Sequence, residues 1–241
     1  MIGNFGNKKS FHSFALFMEV LEKMENKEKT ENKERILEKA RDLFMRYGIK
    51  SITMDEIAGQ LGISKKTIYQ FFTDKDEMVE AVVNEEMSRN EAGCREFILR
   101  AENAIHEIFI AMEDIQEMLK TMNPQLMYDL EKHHPSAYRR IKQHKYQFMY
   151  EMIKQNLERG MKEDVYRTDL NPDFTARYRI ESAFMTFNQD AFPWNKYPMN
   201  QTCHELALLF LHSICNAKGK KLIDKYLNDR PKTPHHEPKT L

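Results

Sequence analysis

The stretch TMDEIAGQLGISKKTIYQFFTDKDEM, residues 53–78, decides the fold. It follows the pattern of an amphipathic helix, is interrupted by glycine at position 62, and restarts two residues later at Ser64. A single core helix gains nothing from that interruption, whereas two short helices held at a fixed angle require it. Thr53 and Glu56 have capping-box spacing, an N-cap hydroxyl with a glutamate three residues on. They start a helix whose inward residues are Ile57, Ala58 and Leu61. Gly62 can take positive φ and so permits a tight turn. Ser64 caps a second helix with Ile68 and Phe71 inward, and Asp74 with Glu77 repeats the capping pattern. Ala58 is small where the two helices cross. The result is a helix-turn-helix that projects its second helix to where it can enter a DNA major groove.

Upstream, Ile36, Leu37, Ala40, Leu43 and Phe44 form one face of a helix over 32–47 that Gly48 ends. Downstream, helical patterns run over about 74–92, 95–120, 124–133, 136–160, 172–190, 201–216 and 218–228. Asn123-Pro124 and Asn171-Pro172 each set an N-cap before a proline at the first helical position. Gly160 and Gly219 read as stop or bend points. No internal repeat is visible. The chain has 241 residues, 41% hydrophobic and 31% charged, with only 8 Gly and 8 Pro, a composition that predicts an all-α protein with a real core. The expected organisation is an N-terminal extension over 1–29, a helix-turn-helix domain over 30–75, a larger helical-bundle regulatory domain over 76–229, and a Pro-rich, charged, disordered tail over 230–241. Residues 1–29 are expected to be a disordered or fraying helical extension. Translation is expected to begin at Met18 or Met24, which intact mass of the native protein tests.

Lys plus Arg equals Asp plus Glu, 37 of each. The chain as a whole therefore carries no basic field, and nucleic-acid contact must come from local charge. The three cysteines, Cys94, Cys203 and Cys215, match no zinc or redox spacing and read as small core residues in a reducing cytosol. No apolar run reaches the ~18 residues a membrane span requires.

ITMDEIAGQLGISKKTIYQFFTDKDEM, with the preceding helix ILEKARDLFMRYG, resembles the DNA-binding domain of the TetR family of transcriptional regulators. The resemblance covers about residues 33–80 and is carried by Thr53, Ile57-Ala58, Leu61-Gly62-Ile63-Ser64, Ile68-Tyr69, Phe72 and Lys75. Phe71 stands where the family more often has Tyr or His. The remaining chain resembles the family's regulatory domain in architecture alone. The resemblance implies a homodimeric cytoplasmic regulator, with a four-helix dimer interface from C-terminal helices and a small molecule that weakens DNA binding. Lys75 resembles the family's phosphate-binding lysine.

Candidate DNA-binding residues are Thr53, Ser64, Lys65, Lys66, Thr67, Tyr69, Gln70, Phe71 and Lys75. Lysine suits guanine acceptors or phosphates, and Gln and Thr suit base edges. Tyr69 can offer its hydroxyl to a phosphate, and the helix N-terminus near Lys75 favours anions. Segment 50–75 nets only +1, so useful affinity needs two copies about 34–36 Å apart on a palindromic operator. ELALLFLHSIC, 205–215, is apolar almost all round, which calls for burial on both sides. The expected dimer surface is Ile180, Phe184, Phe187, Leu206, Leu209, Phe210 and Ser213. The middle helices are rich in Met and aromatics, and Phe109, Met112, Met127, Tyr128, Phe148, Met152 and Met185 are candidate liners of a pocket for an apolar or amphipathic effector, although each also suits plain core. DAFPWNKYPMN, 190–200, suits either a lid or a dimer-contact loop.

No cofactor is expected. A diiron enzyme needs two Glu-x-x-His motifs and two further Glu. Glu131 to His134 supplies one motif, and His106 with Glu102, His204 and His212 are scattered. A metal- or redox-responsive regulator using His133, His134 or the cysteines, and a DNA-binding protein without an effector, are the remaining alternatives.

Overall fold

The computed structural model describes residues 8–229, with the backbone alone for residues 8–18, 20 and 21. Expectations for residues 1–7 and for the tail over 230–241 lie outside the described residues. The chain divides at Val82–Val83 into two compact units.

The first unit begins with a 40-residue helix, α1 (Lys8–Tyr47). Residues 8–29, expected as an extension, are thus helical and continuous with the first helix of the DNA-binding domain. Exposed pairs at i,i+4 support this stretch: Lys23 with Glu19 at 2.8 Å and Lys29 with Glu25 at 2.7 Å. Gly48, at φ 81, ends it. α2 (Met54–Leu61) and α3 (Lys65–Ile68) follow, and α4 (Lys75–Arg100) begins in this unit. Ile36, Ala40, Phe44, Ile57, Ala58, Ile68, Phe72, Met78 and Val79 fill the small core. The second helix was expected to turn Ile68 and Phe71 inward. Ile68 and Phe72 are the fully buried pair, one helical turn apart, and Phe71 is only half-buried.

Gly62 makes the turn at φ 67, ψ 27, donating to Ala58 and Gly59 carbonyls. A Cβ there would meet nothing within 4 Å, so Gly62→Ala loses only conformational energy. We expect a loss of about 1 kcal/mol in a urea melt of the first unit's transition. A gain in stability would show that the turn tolerates a right-handed backbone.

The second unit is all helical. α5 (Ala104–Thr121) is capped by Asn103, which accepts from the amides of Ile105 and His106 at 3.1 and 2.9 Å. The expected interruption near 92–95 does not occur: α4 runs through Gly93, and the break falls at the Asn103 cap. After α6 (Leu126–His133), residues 135–162 are one helical rod: α7 (Pro135–His144), a π turn over Lys145–Met149, and α8 (Tyr150–Lys162). α9 (Pro172–Phe184) carries the expected Asn171 cap and proline start and passes into a 3₁₀ turn at Met185–Phe187. α10 (Met199–Ile214) and α11 (Ala217–Asn228) complete the bundle. Its core joins Ile105, Phe109, Met112, Leu157, Tyr166, Phe210, Leu211 and Ile223. Among the described residues the only strand-like pairing is the isolated bridge Tyr166–Cys215.

Gly160 and Gly219 are not stop points. Both lie inside helices, and each makes room for a close neighbour. A Cβ at Gly160 would sit 2.1 Å from the Tyr166 ring, and one at Gly219 would sit 2.1 Å from the Val165 carbonyl oxygen.

Candidate nucleic-acid interface

The capping box at Thr53 forms in full. The Thr53 amide donates to Glu56 Oε2 at 2.6 Å, and the Glu56 amide donates to Thr53 Oγ1 at 3.2 Å. The Thr53 hydroxyl also donates to the same carboxylate at 2.9 Å. Ser64 caps α3 by accepting from the Thr67 amide at 3.1 Å, and its hydroxyl lies 2.9 Å from the Thr67 hydroxyl. One turn of α-helix is followed by i→i+3 bonds from Gln70 to the Thr67 carbonyl and from Phe71 to the Ile68 carbonyl. The segment 64–72 is therefore a short helical projection with Ile68 and Phe72 as its anchors.

Lys65, Lys66, Tyr69 and Gln70 stand on the exposed face, Tyr69 being 46% exposed. The two lysines differ. Lys65 Nζ reaches back 2.8 Å to Asp55 Oδ2 of α2, and that hydrogen bond raises its pKa. Lys66 is exposed and makes no ion pair with any described residue. The Asp55 contact spans ten residues in sequence, outside the i,i+3 and i,i+4 spacings that local reading can use. Thr67 and Phe71 are half-buried. Thr67 is engaged with Ser64, and Phe71 has no hydroxyl to offer. Lys75 Nζ donates to the Ile49 carbonyl at 2.6 Å and lies 6.0 Å from the centre of the Phe44 ring. In this structure it braces the start of α4 against the turn after α1. Thr73 and Glu77 form a second box, the Thr73 amide donating to Glu77 Oε2 at 2.6 Å while Asp74 accepts from the Glu77 amide at 2.8 Å. The hydrogen bonds from the Thr73 amide and hydroxyl hold the carboxylate of Glu77 below its ordinary range.

The candidates in the second unit separate. Phe109 and Met112 are packed into the core, whereas Tyr128 and Met185 are on the surface. Tyr128 accepts from Lys132 at 2.8 Å. Met127, Phe148 and Met152 are half-buried. Two members of the set are thus core residues and two face solvent. The dimer candidates divide in the same way. Ile180 and Phe210 are buried in their own unit and are removed from the expected surface. Phe184 is half-covered by Lys145 Nζ, 4.3 Å from its ring centre. Phe187 packs edge-on to Phe184, Leu206 is half-buried, and Leu209, 66% exposed, and Ser213 face outward.

Among the described residues no group of three His, Cys, Asp or Glu side chains is placed to hold a metal. His106 stacks on Tyr226 at 4.8 Å and accepts from the Glu102 amide. Burial pushes the Cys94 thiol up to about 11 and the Cys215 thiol to about 12, which disfavours the thiolate that redox sensing needs. Among the described residues no helix is long and apolar enough to cross a membrane.

α2, the Gly62 turn and α3 form a helix-turn-helix. Residues 36–82 match the family model of bacterial regulatory proteins, tetR family. A curated relative, an uncharacterized HTH-type transcriptional regulator YvaF of Bacillus subtilis (strain 168), is 31% identical over 91 residues, covering 36% of this chain and 47% of the relative. The chain thus spans about half the length of that relative. Among solved structures of the same fold, a TetR-family regulator from Agrobacterium tumefaciens has a TM-score of 0.65 at 15% identity, covering 78% of this chain and all of the other. Escherichia coli NemR in its reduced form has a TM-score of 0.63 at 13% identity, covering 78% and 99%. A putative transcriptional regulator from Saccharomonospora viridis, solved in complex with choline, has a TM-score of 0.61 at 18% identity, covering 78% and 99%.

Proposed function

We propose that the chain acts in the cytoplasm as a homodimeric repressor, binding a palindromic operator through α3 and released from it by a small-molecule effector taken up by the second unit. The observation that carries the reading is the outward face of α3: an exposed Tyr69 and Gln70 beside an unpaired Lys66, on a turn fixed by two side-chain caps and a left-handed glycine. A surface built for packing would not leave these groups in water, and one built for non-specific binding would carry more charge than a net of +1 over residues 50–75.

Dimerisation is supported by an apolar stripe on α9 and α10. Phe174, Tyr178 and Met185 follow one another at i, i+4 and i+11, with Phe174 69% exposed, and Leu209 stands out from α10. Such a stripe is what a self-complementary helical interface buries. Release by an effector requires the ligand to prefer one of two arrangements of the dimer.

The test is fluorescence anisotropy of the full chain on DNA from upstream of its own coding region, across a salt series, for wild type and Tyr69→Ala. We expect sequence-selective binding that falls steeply with salt and weakens about tenfold or more in the variant, since each dimer loses the contact twice. Weak binding, indifferent to sequence and unchanged by Tyr69→Ala, would remove α3 as the working surface on that DNA.

A further inference from the structure

Three buried polar atoms without hydrogen-bond partners fall between residues 179 and 194: Arg179 Nη1, Thr186 Oγ1 and Trp194 Nε1. Arg179 lies on the inward side of α9 with Thr175, Ala176 and Ile180, away from the exposed Phe174 and Tyr178. Its guanidinium carbon sits 5.2 Å from the centre of the Phe210 ring of α10, and no described carboxylate pairs with it. Thr186 is 1% exposed. Its hydroxyl neighbours the Cys203 thiol, which in turn neighbours Arg179. Burial pulls the Arg179 pKa down, and only Cys203 and Tyr178 act to support its charge. Arg179 is half-buried as a residue with its Nη1 fully covered, and an unpaired guanidinium nitrogen so placed is costly.

The chemistry of the three atoms is one-sided. Guanidinium and indole N–H groups can only donate, and the Thr186 hydroxyl, beside the Cys203 thiol, can donate as well. The missing partner is therefore an acceptor. One cation with neutral donors balances one negative charge, and the planar guanidinium fork matches a carboxylate. Phe210 and Cys203 make the remaining surroundings apolar. We propose that Arg179 and Thr186, between α9, the 3₁₀ turn and α10, form the seat for the carboxylate of a small monocarboxylic ligand whose apolar part lies toward Phe210. This deepens the effector reading above by giving the effector's chemical class, and it narrows the apolar or amphipathic molecule that the Met-rich helices suggested to an anionic amphiphile.

The experiment is calorimetric titration and thermal melting of the full chain with butyrate, hexanoate, octanoate and phenylacetate. Hexanol, and sodium chloride and sodium sulfate at matched ionic strength, serve as controls. The variants are Arg179→Met and Arg179→Lys. At least one carboxylate should titrate at one site per chain and raise the melting temperature, while hexanol and the salts do neither. Arg179→Met should weaken that binding about tenfold or more, and Arg179→Lys should weaken it less. Without ligand, Arg179→Met should melt no lower than wild type, because it removes an uncompensated buried charge. Several outcomes overturn the proposal: no carboxylate binds, the salts stabilise as well as the carboxylates, the binding survives Arg179→Met, or the unliganded Arg179→Met chain melts well below wild type. In the last case the guanidinium would be an internal packing element. These measurements contain no DNA, so their failure is distinct from a failure of the operator-binding assay.

Discussion

Replacing Gly160 by alanine should destabilise the second unit by roughly 3 kcal/mol, lowering its melting temperature by about 6–12 °C. The sign needs argument, because a glycine inside a helix is ordinarily worse than alanine by about 1 kcal/mol. Here the added Cβ would lie 2.1 Å from Cδ2 and Cε2 of Tyr166. That ring has nowhere to go: it is fully buried, and its hydroxyl donates to Asn156 Oδ1 at 3.0 Å. Asn156 is itself held, donating to the Ala104 carbonyl at 2.9 Å. Overpacking therefore outweighs propensity. The internal control is Gly93→Ala, where the Cβ would meet Phe97 at an ordinary 3.6 Å. That variant should gain about 0.5–1 kcal/mol. Calorimetric melts of the two chains decide the matter. A Gly160→Ala chain as stable as wild type would mean that the Tyr166 ring and its hydrogen bond can shift aside.

The second large effect is expected at Arg159. Its guanidinium donates to Glu107 at 3.2 Å, to Glu163 at 2.6 Å and to the Ala101 carbonyl at 3.2 Å, and Glu163 also accepts from the Ala104 amide at 2.8 Å at the start of α5. Arg159→Leu leaves two carboxylates facing each other in a half-buried site, at a cost of about 2–3 kcal/mol at neutral pH. The loss should depend on pH. Burial already raises the pKa of Glu107 above the usual carboxylate value, with Asn156 and Arg159 pulling the other way. Without Arg159 it rises further. A carboxyl whose folded pKa lies above its unfolded one favours the fold while protonated, and that contribution is lost as pH rises through the folded pKa. The deficit of the variant should accordingly shrink as pH falls from 7.5 toward 5, as read from urea unfolding at each pH. A deficit that stays constant or grows on acidification would show that Glu107 is not the stranded charge.

The parts of the fold that were legible in the sequence are those set by local chemistry. Thr53 with Glu56, Ser64, Gly62 and Asn171-Pro172 each announce a cap or turn within three or four residues of themselves, and each forms as read. What local spacing cannot carry was misplaced. Phe71 and Phe72 are adjacent and equally apolar, and the choice between them depends on how far α3 stays helical before its bonds tighten to i→i+3. The break between α4 and α5 was placed between residues 92 and 95, yet α4 runs through Gly93 there. The break falls at Asn103, which accepts from two amides. Gly160 and Gly219 drew attention correctly for the wrong reason, since the neighbours that require them, Tyr166 and Val165, lie beyond the spacings that local reading uses. The exposed Lys65, Lys66, Tyr69 and Gln70 were legible as a set because the motif that holds them is local. The division of labour between Lys65 and Lys66 was not, because Asp55 lies on a different helix. The proposed effector and dimer residues were chosen by residue type, and type alone does not separate the buried Phe109, Ile180 and Phe210 from the outward-facing Tyr128 and Leu209.

The π turn at Lys145–Met149, where the Tyr150 amide reaches the Lys145 carbonyl, has a consequence for the rod over residues 135–162. A π turn holds one residue more than the α turn it replaces, so every side chain beyond it is advanced by about 100° around the axis. One uninterrupted helix can thereby aim α7 at α6 while α8 packs on α5 and α9, with no loop to set the angle. The turn works as a phase shifter. Moving it along the rod by a few residues would re-aim the side chains it passes, such as Phe148 and Met152, while both ends of the helix stay where they are.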